Sequence, residues 1–355
     1  MKSYNEQLTA LRASGNLRHL PEVEHQGIWI LKEGKRMLNL SSNDYLGLAS
    51  RQDLQEEFQA STTRPLLSLL LLIIRLLTGN FSVYTKLEKQ IARSFDREAA
   101  LIFNSGYHAN TGILPALTDK QTLLLADKLV HASIIDGILL SGSPFLRYRH
   151  NDYDQLERLV QKNASQYETI IILTESIFSM DGDVADLNHL IAIKRQYPHI
   201  LLYVDEAHAI GAVERRARYR RGTRLYPRDR SIGRYFRQGV SIYGGLFGLF
   251  PYDTGISVNT MRPLIFSTAL PPFQIAWTSF IWEQLPSFTK ERENLLAYSR
   301  LLAEALTSKG ARSAKATSSF HRGRERGLRT ESGRATTKRL LLSPGSPRRQ
   351  CKGTV

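Results

Sequence analysis

Cysteine is nearly absent from this chain of 355 residues, in which Cys351 is the only one. A single cysteine excludes a disulfide framework and zinc sites built from cysteine, and it suits a reducing compartment. Long apolar runs are also missing, since the longest, at 66–74, is too short to span a bilayer and is followed by Arg75. The polar N-terminus has no apolar core of the kind that a signal peptide needs. We therefore expect a cytoplasmic protein that does not contact a membrane.

Positive charge is abundant but concentrated in two segments. The formal net charge is +15, of which residues 214–237 carry +8 and residues 311–355 carry +10, so the remainder is slightly acidic. Such a charge is compatible with binding to nucleic acid. The basic segments, however, lack aromatic residues spaced for base stacking. We therefore expect no nucleic-acid partner, and a salt-dependent gel shift with random DNA would revive that alternative.

Apolar runs alternate with amphipathic stretches between residues 99 and 211. This alternation predicts an α/β fold, with a mostly parallel sheet and right-handed crossovers. Strands are predicted over 99–103, 121–126, 168–174 and 201–204, and helices over 5–17, 86–95, 153–161 and 187–197. We expect a large domain over 54–257, and a smaller α+β part built from 1–53 and 258–355. Within these domains, residues 212–257 and 311–355 have an aberrant composition, because they contain the two basic segments.

Polar side chains follow the predicted strands, at Asn104, Asp127, Glu175 and Asp205. In open α/β sheets, ligands bind beyond the carboxyl ends of the strands. A carboxylate such as Asp205 is costly to bury unless a cation pairs with it. The protonated ring nitrogen of a pyridine cofactor is one such cation. The alternative is that Asp205 caps the following helix and that His208 is an ordinary surface residue.

Two further positions each allow two interpretations. At the first, a strand is followed by Ser105-Gly106 and then by a helix. This order resembles a phosphate site at a helix N-terminus, although a plain tight turn explains the same residues. His131, at the exit of another strand, is placed either to stack on a flat ring or to begin a helix.

Seven motifs, in the same order as in the family, resemble those of the α-oxoamine synthases. These are fold-type I enzymes that use pyridoxal phosphate. The resemblance covers most of residues 1–211 and 258–310. The motifs are SNDYLGL at 42–48, LLTGN at 76–80, NSGYHAN at 104–110, DKLVHAS at 127–133, FSMDGD at 178–183, VDEAHAIG at 204–211 and FSTALPP at 266–272.

The resemblance implies roles for residues around the cofactor ring. His131 would stack on the pyridine ring, and Asp205 would pair with the ring nitrogen and keep it protonated. Ser179 and His208 would hydrogen-bond the cofactor at its phenolic oxygen. Of these residues, the resemblance marks His131, Asp205 and His208 as catalytic, and it implies no metal.

The resemblance also implies phosphate and substrate contacts. Gly106 and Tyr107 would help to seat the cofactor, and Thr268 would reach the phosphate from the partner subunit of a homodimer with shared sites. Arg18 is the candidate for binding a substrate carboxylate. The implied reaction is decarboxylative condensation of L-alanine with a pimeloyl thioester, on coenzyme A or a carrier protein. Glycine C-acetyltransferase and 5-aminolevulinate synthase share this chemistry and stay open as alternatives.

One family residue is missing. The family holds its cofactor as a Schiff base on a lysine about thirty residues after the Asp-Glu-Ala-His motif, but this chain has no lysine between Lys194 and Lys290. The expected site falls near Arg237 and Gln238. Neither side chain can form the Schiff base, because a guanidinium stays protonated and an amide nitrogen is not nucleophilic. A non-catalytic homologue is therefore a further alternative.

Our hypothesis for the missing lysine is a shifted reading frame. With suitable degenerate bases, codons for residues 235–244 read one base downstream encode Thr-Phe-Gly-Lys-Ala-Leu-Ala-Ser-Met-Gly, which contains the family's lysine context. The leucine run at 69–72 and the basic tail after residue 311 are candidates for the same origin. Sequencing the gene tests this hypothesis, and a clean reading of Arg237 and Gln238 with no lysine codon in an adjacent frame would exclude it.

Overall fold

The computed structural model describes residues 3–62, 73–95, 97–180, 182–213, 255 and 258–308, together with the backbone of Ile232–Arg237 and Gly245–Leu249. The basic tail from residue 311, Cys351 and most of the arginine-rich segment lie outside these residues. So do the leucine run at 69–72 and Gln238.

The N-terminal part consists of one helix and a small antiparallel sheet. Helix α1 spans Tyr4–Ala13 and is capped by Ser3, whose side chain accepts a hydrogen bond from the amide of Glu6. The three strands β1, β2 and β3 follow in chain order, at Glu24–Gln26, Trp29–Lys32 and Lys35–Leu38. Gly47 then takes a left-handed conformation, with φ of 69°, in the turn that the motif at 42–48 predicts.

The second sheet has seven strands in the order β4-β10-β9-β8-β7-β5-β6. Strands β5 to β9 pair in parallel with one another, and β10 is antiparallel to both β9 and β4. The mostly parallel α/β sheet is therefore confirmed. The strands are β4 Ala99–Phe103, β5 Thr122–Asp127, β6 Phe145–Tyr148, β7 Thr169–Glu175, β8 Ile200–Asp205, β9 Ile232–Arg237 and β10 Gly245–Leu249.

Helices cover both faces of this sheet. On one face Ile113 and Ile134 pack against Leu124 and Ile171, and on the other Leu156 and Leu190 pack against Leu123 and Ile172. Because successive strand residues point to opposite faces, a strand buried on both sides reads as a continuous apolar run. The helices are α2 Gln52–Ser61, α3 Ser82–Ser94, α4 Gly106–Leu117, α5 Ala132–Ser141, α6 Tyr153–Asn163, α7 Leu187–Gln196, α8 Arg262–Ile265, α9 Pro272–Gln284 and α10 Thr289–Ser308. Among the described residues, none of the helices has the length and apolarity needed to cross a membrane.

A largely buried ion pair connects helix α3 to strand β4. The Arg75 guanidinium lies 2.7 Å from a carboxylate oxygen of Glu88, and it also donates to the carbonyl of Ile102. Glu88 in turn accepts a hydrogen bond from the amide of Ile102 at 2.9 Å. The Arg75 guanidinium also lies over the ring of Tyr84, 4.5 Å from its centroid. Both charged side chains are therefore held by several partners.

We expect Arg75→Ala to lower the free energy of unfolding by ~3–5 kcal/mol, because it leaves the Glu88 carboxylate buried without its cation. Urea unfolding measures the loss. Lys86→Ala is the matched control, since the Lys86–Glu283 pair lies 3.4 Å apart with both side chains more than half exposed. Exposed pairs contribute only ~0–1 kcal/mol. Equal losses of unfolding free energy in the two variants would show that the Arg75–Glu88 pair contributes no more to stability than the exposed Lys86–Glu283 pair.

Candidate functional site

Asp205 lies at the carboxyl end of β8, at the centre of the large sheet. The apolar run before it fills the strand, and Asp205 itself is only 3% exposed. Its Oδ1 atom accepts a hydrogen bond from the amide of Ala207 at 2.9 Å. The helix considered above as the partner of this cap is not formed, because residues 207–212 make turns, so Asp205 closes a turn with Ala207 instead. This hydrogen bond occupies one carboxylate oxygen, and the residue remains a buried acid at the ligand-binding edge.

Asp205 is connected to His131 through two helices. The side-chain amide of Asn110, on α4, donates to Asp205 Oδ2 at 3.3 Å and to Ser133 Oγ at 2.9 Å. Ser133, on α5, lies 2.7 Å from His131 Nδ1. The phenol of Tyr203, on β8, donates to Asn110 Oδ1. This Asn110 network, made of these five residues, places the ring of His131 in a fixed relation to the Asp205 carboxylate.

The network also defines the tautomer of His131. Nδ1 accepts a hydrogen bond from the amide of Ser133 at 3.1 Å, which is also the cap that begins helix α5. Because Nδ1 accepts from this amide, the Ser133 hydroxyl, 2.7 Å from the same nitrogen, is the donor in their contact. An imidazole nitrogen that only accepts is unprotonated, so the ring proton is on Nε2 and the ring is neutral. His131 therefore both begins a helix and presents a neutral ring.

The two helices meet closely at this point. Gly137 of α5 faces the main chain of α4, and a Cβ atom there would overlap the carbonyl oxygen of Asn110. The absence of a side chain at Gly137 lets the helices approach until Asn110 and Ser133 are within hydrogen-bond distance.

Glu175 is a second buried carboxyl group, at the end of β7 beside Asp205. The two residues are direct partners in the parallel register of β7 and β8. Burial, and then the charge of Asp205, raise the pKa of Glu175 well above its ordinary value. The backbone amides of His131 and Ser179 hydrogen-bond Glu175 and act in the opposite direction. Glu175 thus joins the segments that carry two of the predicted site residues.

His208 lies three residues beyond Asp205 and is partly buried. Its Nδ1 atom is hydrogen-bonded to the phenolic oxygen of Tyr45 at 2.6 Å. Tyr45 belongs to the turn at 42–48, so the N-terminal part of the chain reaches the same edge of the sheet. His208 is therefore oriented by a partner and is not an isolated surface residue.

The start of helix α4 supplies backbone amide groups at the end of β4. Ser105 caps the helix by accepting from the amide of His108, Gly106 is buried, and Tyr107 is 45% exposed. The Tyr107 phenol donates to Asp136 Oδ2 at 2.5 Å. The first amides of a helix of this length have no partner within the helix and favour an anion.

Thr268 lies close to this helix start in the same chain. Its carbonyl oxygen accepts a hydrogen bond from the side chain of Asn104 at 2.6 Å, and the residue is exposed. Ser179 is partly buried in the turn after β7. Arg18 is exposed between α1 and β1. The described contacts connect His131, Ser179, Asp205 and His208 to one sheet edge and Thr268 to the α4 start, but they do not connect Arg18 to either.

Strand β9 ends close to the position where the family's lysine is expected. It runs parallel to β8 with Asp205 opposite Tyr235, so its last residue, Arg237, lies at the same edge of the sheet. Strand β10 pairs back against β9, with Gly245 opposite Arg237. We predicted no element in this segment, because its many arginines hide any apolar periodicity. The backbone nevertheless brings position 237 to the candidate site.

Within the part of the chain that the structure describes, the sheet order with its one antiparallel strand and the buried acid at the end of β8 define the class of protein. It is a fold-type I pyridoxal phosphate-dependent transferase. Serine palmitoyltransferase from S. paucimobilis shares the fold with a TM-score of 0.76 and 23% identity, over 88% of this chain and 81% of that one. An 8-amino-7-oxononanoate synthase from Francisella tularensis has a TM-score of 0.60 and 25% identity, over 78% and 77% of the two chains.

Sequence relatives narrow the class. A family model for class I and II aminotransferases matches residues 35–227. A relative from Neisseria gonorrhoeae (strain NCCP11945), named "Putative 8-amino-7-oxononanoate synthase", is 49% identical over 313 residues, which cover 85% of this chain and 80% of the relative. A relative of the same name from Haemophilus influenzae (strain 86-028NP) is 49% identical over 315 residues, with 86% and 80% covered. The chain belongs to the class I and II aminotransferase family, and within it to the α-oxoamine synthases, which are pyridoxal phosphate-dependent acyltransferases.

The described residues fit this cofactor in the chemistry of their donors. A buried carboxylate suits a protonated ring nitrogen, a neutral imidazole suits a ring face, and the start of α4 suits a phosphate. Four of the connecting residues were not predicted as site residues: Asn110, Ser133, Tyr203 and Tyr45. Three of them lie inside the motifs at 104–110, 127–133 and 42–48, and that location was the available signal.

Proposed function

We propose that this edge of the sheet is the pyridoxal phosphate site of an 8-amino-7-oxononanoate synthase. The observation that carries the proposal is the Asn110 network, because it holds a buried carboxylate and a neutral imidazole in one hydrogen-bonded unit. When bound, the cofactor supplies an electron sink for a substrate carbanion. The protein's part is to keep the ring protonated, to hold its face and to exclude water.

Each residue has a distinct part in this proposal. Asp205 stabilises the proton on the ring nitrogen, and His131 packs against the ring. Ser179 and His208 hydrogen-bond the phenolic oxygen, with Tyr45 fixing the His208 ring. Because Asp205 is buried, its charge acts through a low dielectric and holds the ring proton more strongly than an exposed carboxylate would.

The phosphate and the substrates are assigned in the same way. Gly106 and Tyr107 bind the phosphate through the amides at the start of α4, and Thr268 adds a hydroxyl from the partner subunit of a homodimer. Arg18 binds a substrate carboxylate. The reaction joins L-alanine to a pimeloyl thioester in the cytoplasm, with loss of CO2, and belongs to biotin biosynthesis. The large domain is residues 54–257, with the remainder forming the smaller part.

A non-catalytic homologue is the second candidate. It is favoured by one observation, the presence of Arg237 and Gln238 where the family has its lysine. Such a protein would still bind the cofactor through ionic and hydrogen-bonding contacts. The two candidates separate when the gene is sequenced and when a lysine is supplied at this position.

Titration with pyridoxal phosphate, followed by the quenching of protein fluorescence, tests the shared part of both candidates. Pyridoxal, which lacks the phosphate, is the matched ligand. We expect pyridoxal phosphate to bind saturably, and pyridoxal to bind ~10-fold or more weakly because it loses charge-assisted hydrogen bonds at the α4 start. Equal affinities would show that the start of α4 does not bind the phosphate. If pyridoxal phosphate does not bind saturably, this edge of the sheet is not a cofactor site.

A further inference from the structure

A partly buried cluster of ionisable groups lies beside the candidate site and has no part in the contacts assigned so far. Its centre is His150, just after β6, with its side chain 22% exposed. Nδ1 lies 2.9 Å from Asp127 Oδ1, and Nε2 is paired with Asp183 Oδ2. Because a carboxylate only accepts hydrogen bonds, both ring nitrogens donate, and the ring is an imidazolium.

Asp127 is the anchor of this cluster on the sheet. It ends β5, is fully buried, and accepts from the amides of Leu129 and Asn151 at 2.7 and 2.9 Å, in addition to His150. These contacts set the course of the chain that leads, four residues after Asp127, to His131.

Asp183 is the anchor on the other side. The turn that carries Ser179 is closed by hydrogen bonds from the amide of Phe178 to the carbonyl of Asp183, at 3.0 Å, and from the amide of Gly182 to the carbonyl of Phe178. Phe178 packs edge-on against the His150 ring, with centroids 4.4 Å apart. The ring therefore contacts both ends of this turn.

We propose that His150 is a positioning residue: it clasps together the two loops that carry His131 and Ser179. The inference rests on the proposed function, in which both residues contact the cofactor. The clasp connects the exit of β5 to the turn after β7 through one cation between two carboxylates. Asn151 supports it, since its side-chain amide donates to Asp183 Oδ2 at 3.1 Å and its backbone has a left-handed φ of 52°.

The clasp depends on pH, because it requires His150 to be protonated. Burial opposes protonation, but the hydrogen bonds from His150 to Asp127 and Asp183 outweigh it and raise the pKa of His150 from 6.5 to about 9. A raised pKa means that the clasp is complete below pH 6.5 and is lost as the pH rises through about 9. The other ionisable groups around the cluster are Tyr148 of β6, Tyr153 of α6, Glu175 of β7, and the Arg149–Asp152 pair on its exposed side.

The two neighbouring tyrosines do not titrate with His150. Burial raises the pKa of Tyr148 well above its ordinary value and that of Tyr153 to about 12, so both stay neutral through the window around pH 9. Burial also raises the pKa of Glu175, but this carboxyl group is present in every variant of His150. A comparison of variants at the same pH therefore isolates His150.

The test uses the full chain and three variants. His150→Gln keeps one donor but no charge, and His150→Arg restores a cation with two-sided donors. His189→Gln is the matched control, because His189 also pairs with a carboxylate, at 2.7 Å from Glu157, and stacks on Tyr153 without touching the Ser179 turn. The measurements are the affinity for pyridoxal phosphate at pH 7 and pH 10, and backbone hydrogen exchange of residues 176–184.

At pH 7 we expect His150→Gln to bind pyridoxal phosphate ~10-fold more weakly than the unsubstituted chain, as the loss of one charge-assisted interaction implies. At pH 10 the two affinities should converge. His150→Arg should recover most of the affinity, and His189→Gln should bind normally. Equal affinities at pH 7, or a difference that persists unchanged at pH 10, would overturn the clasp.

Hydrogen exchange separates this inference from the proposed function, because it needs no cofactor. In the unsubstituted chain, protection of residues 176–184, corrected for the intrinsic rate, should fall as the pH rises through about 9, and it should already be low at pH 7 in His150→Gln. If pyridoxal phosphate fails to bind the unsubstituted chain, the proposed function is wrong and exchange alone decides the clasp. Protection that is independent of pH and of His150 would refute it.

Discussion

Supplied with pyridoxal phosphate, L-alanine and pimeloyl coenzyme A, the protein with the sequence as printed is expected to form no 8-amino-7-oxononanoate. No lysine lies between Lys194 and Lys290, so no amine is available at the end of β9 to link the cofactor or to take the substrate's α-proton. A positioned general base is commonly worth ~10²–10⁴-fold in rate, and the lost covalent route adds to that deficit. Mass spectrometry of the product measures the outcome.

The covalent link gives a second and more direct measurement. Treatment with borohydride should leave no cofactor attached to the chain as printed. Replacing residues 235–244 by Thr-Phe-Gly-Lys-Ala-Leu-Ala-Ser-Met-Gly should make about one cofactor per chain resistant to dialysis after borohydride. The control carries the same replacement with alanine in place of its lysine. Robust synthase activity from the chain as printed would overturn the lysine argument, whereas full activity of the replaced chain requires a restored tail too.

The backbone of strand β9 places the replaced segment at the candidate site. Strand β9 places Tyr235 opposite Asp205, and Arg237 two residues further along the same edge. A lysine at position 238 would therefore follow directly after the end of the strand, beside the strand that carries Asp205. The replacement changes side chains at a position where the sheet already brings the chain to the site.

Sequence patterns predicted the central strands and their polar ends because those strands are continuous apolar runs. Strand β6 was missed because it is short and three of its four residues are partly or fully exposed. Strands β9 and β10 were missed because arginines and glycines interrupt their apolar residues. In each case the missing information is the pairing with a neighbouring strand, which local composition does not contain.

The candidate site shows the same limit at the level of single residues. Asp205 and His131 stand out because each follows an apolar run. Asn110 and Ser133 are ordinary polar residues near the starts of helices, and their importance comes from the contact between those helices at Gly137. Such a long-range contact is not visible in periodicity. The roles of Arg18 and of the partner's Thr268 stay predictions that rest on the family resemblance.

Asp205→Asn is expected to weaken the binding of pyridoxal phosphate by ~10²–10³-fold, or ~3–4 kcal/mol. The carboxylate accepts from the amide of Ala207 on one oxygen and from Asn110 on the other. An asparagine there has only one oxygen, so its NH2 group must face one of these donors, and the charge that pairs with the ring nitrogen is lost as well. Fluorescence titration measures the affinity.

Two further measurements decide whether the loss comes from the charge at this site. Asp119→Asn is the control, because Asp119 likewise accepts the amide two residues ahead, at 2.9 Å from Gln121, but lies at the opposite end of β5. It should bind the cofactor normally. In Asp205→Asn the pKa of Glu175 should fall, since the charge of Asp205, one of the three causes that raise it, is removed while its burial and the charge of Asp127 remain. Normal cofactor binding by Asp205→Asn would show that this carboxylate does not pair with the ring, and the site proposed at the end of β8 would have to be abandoned.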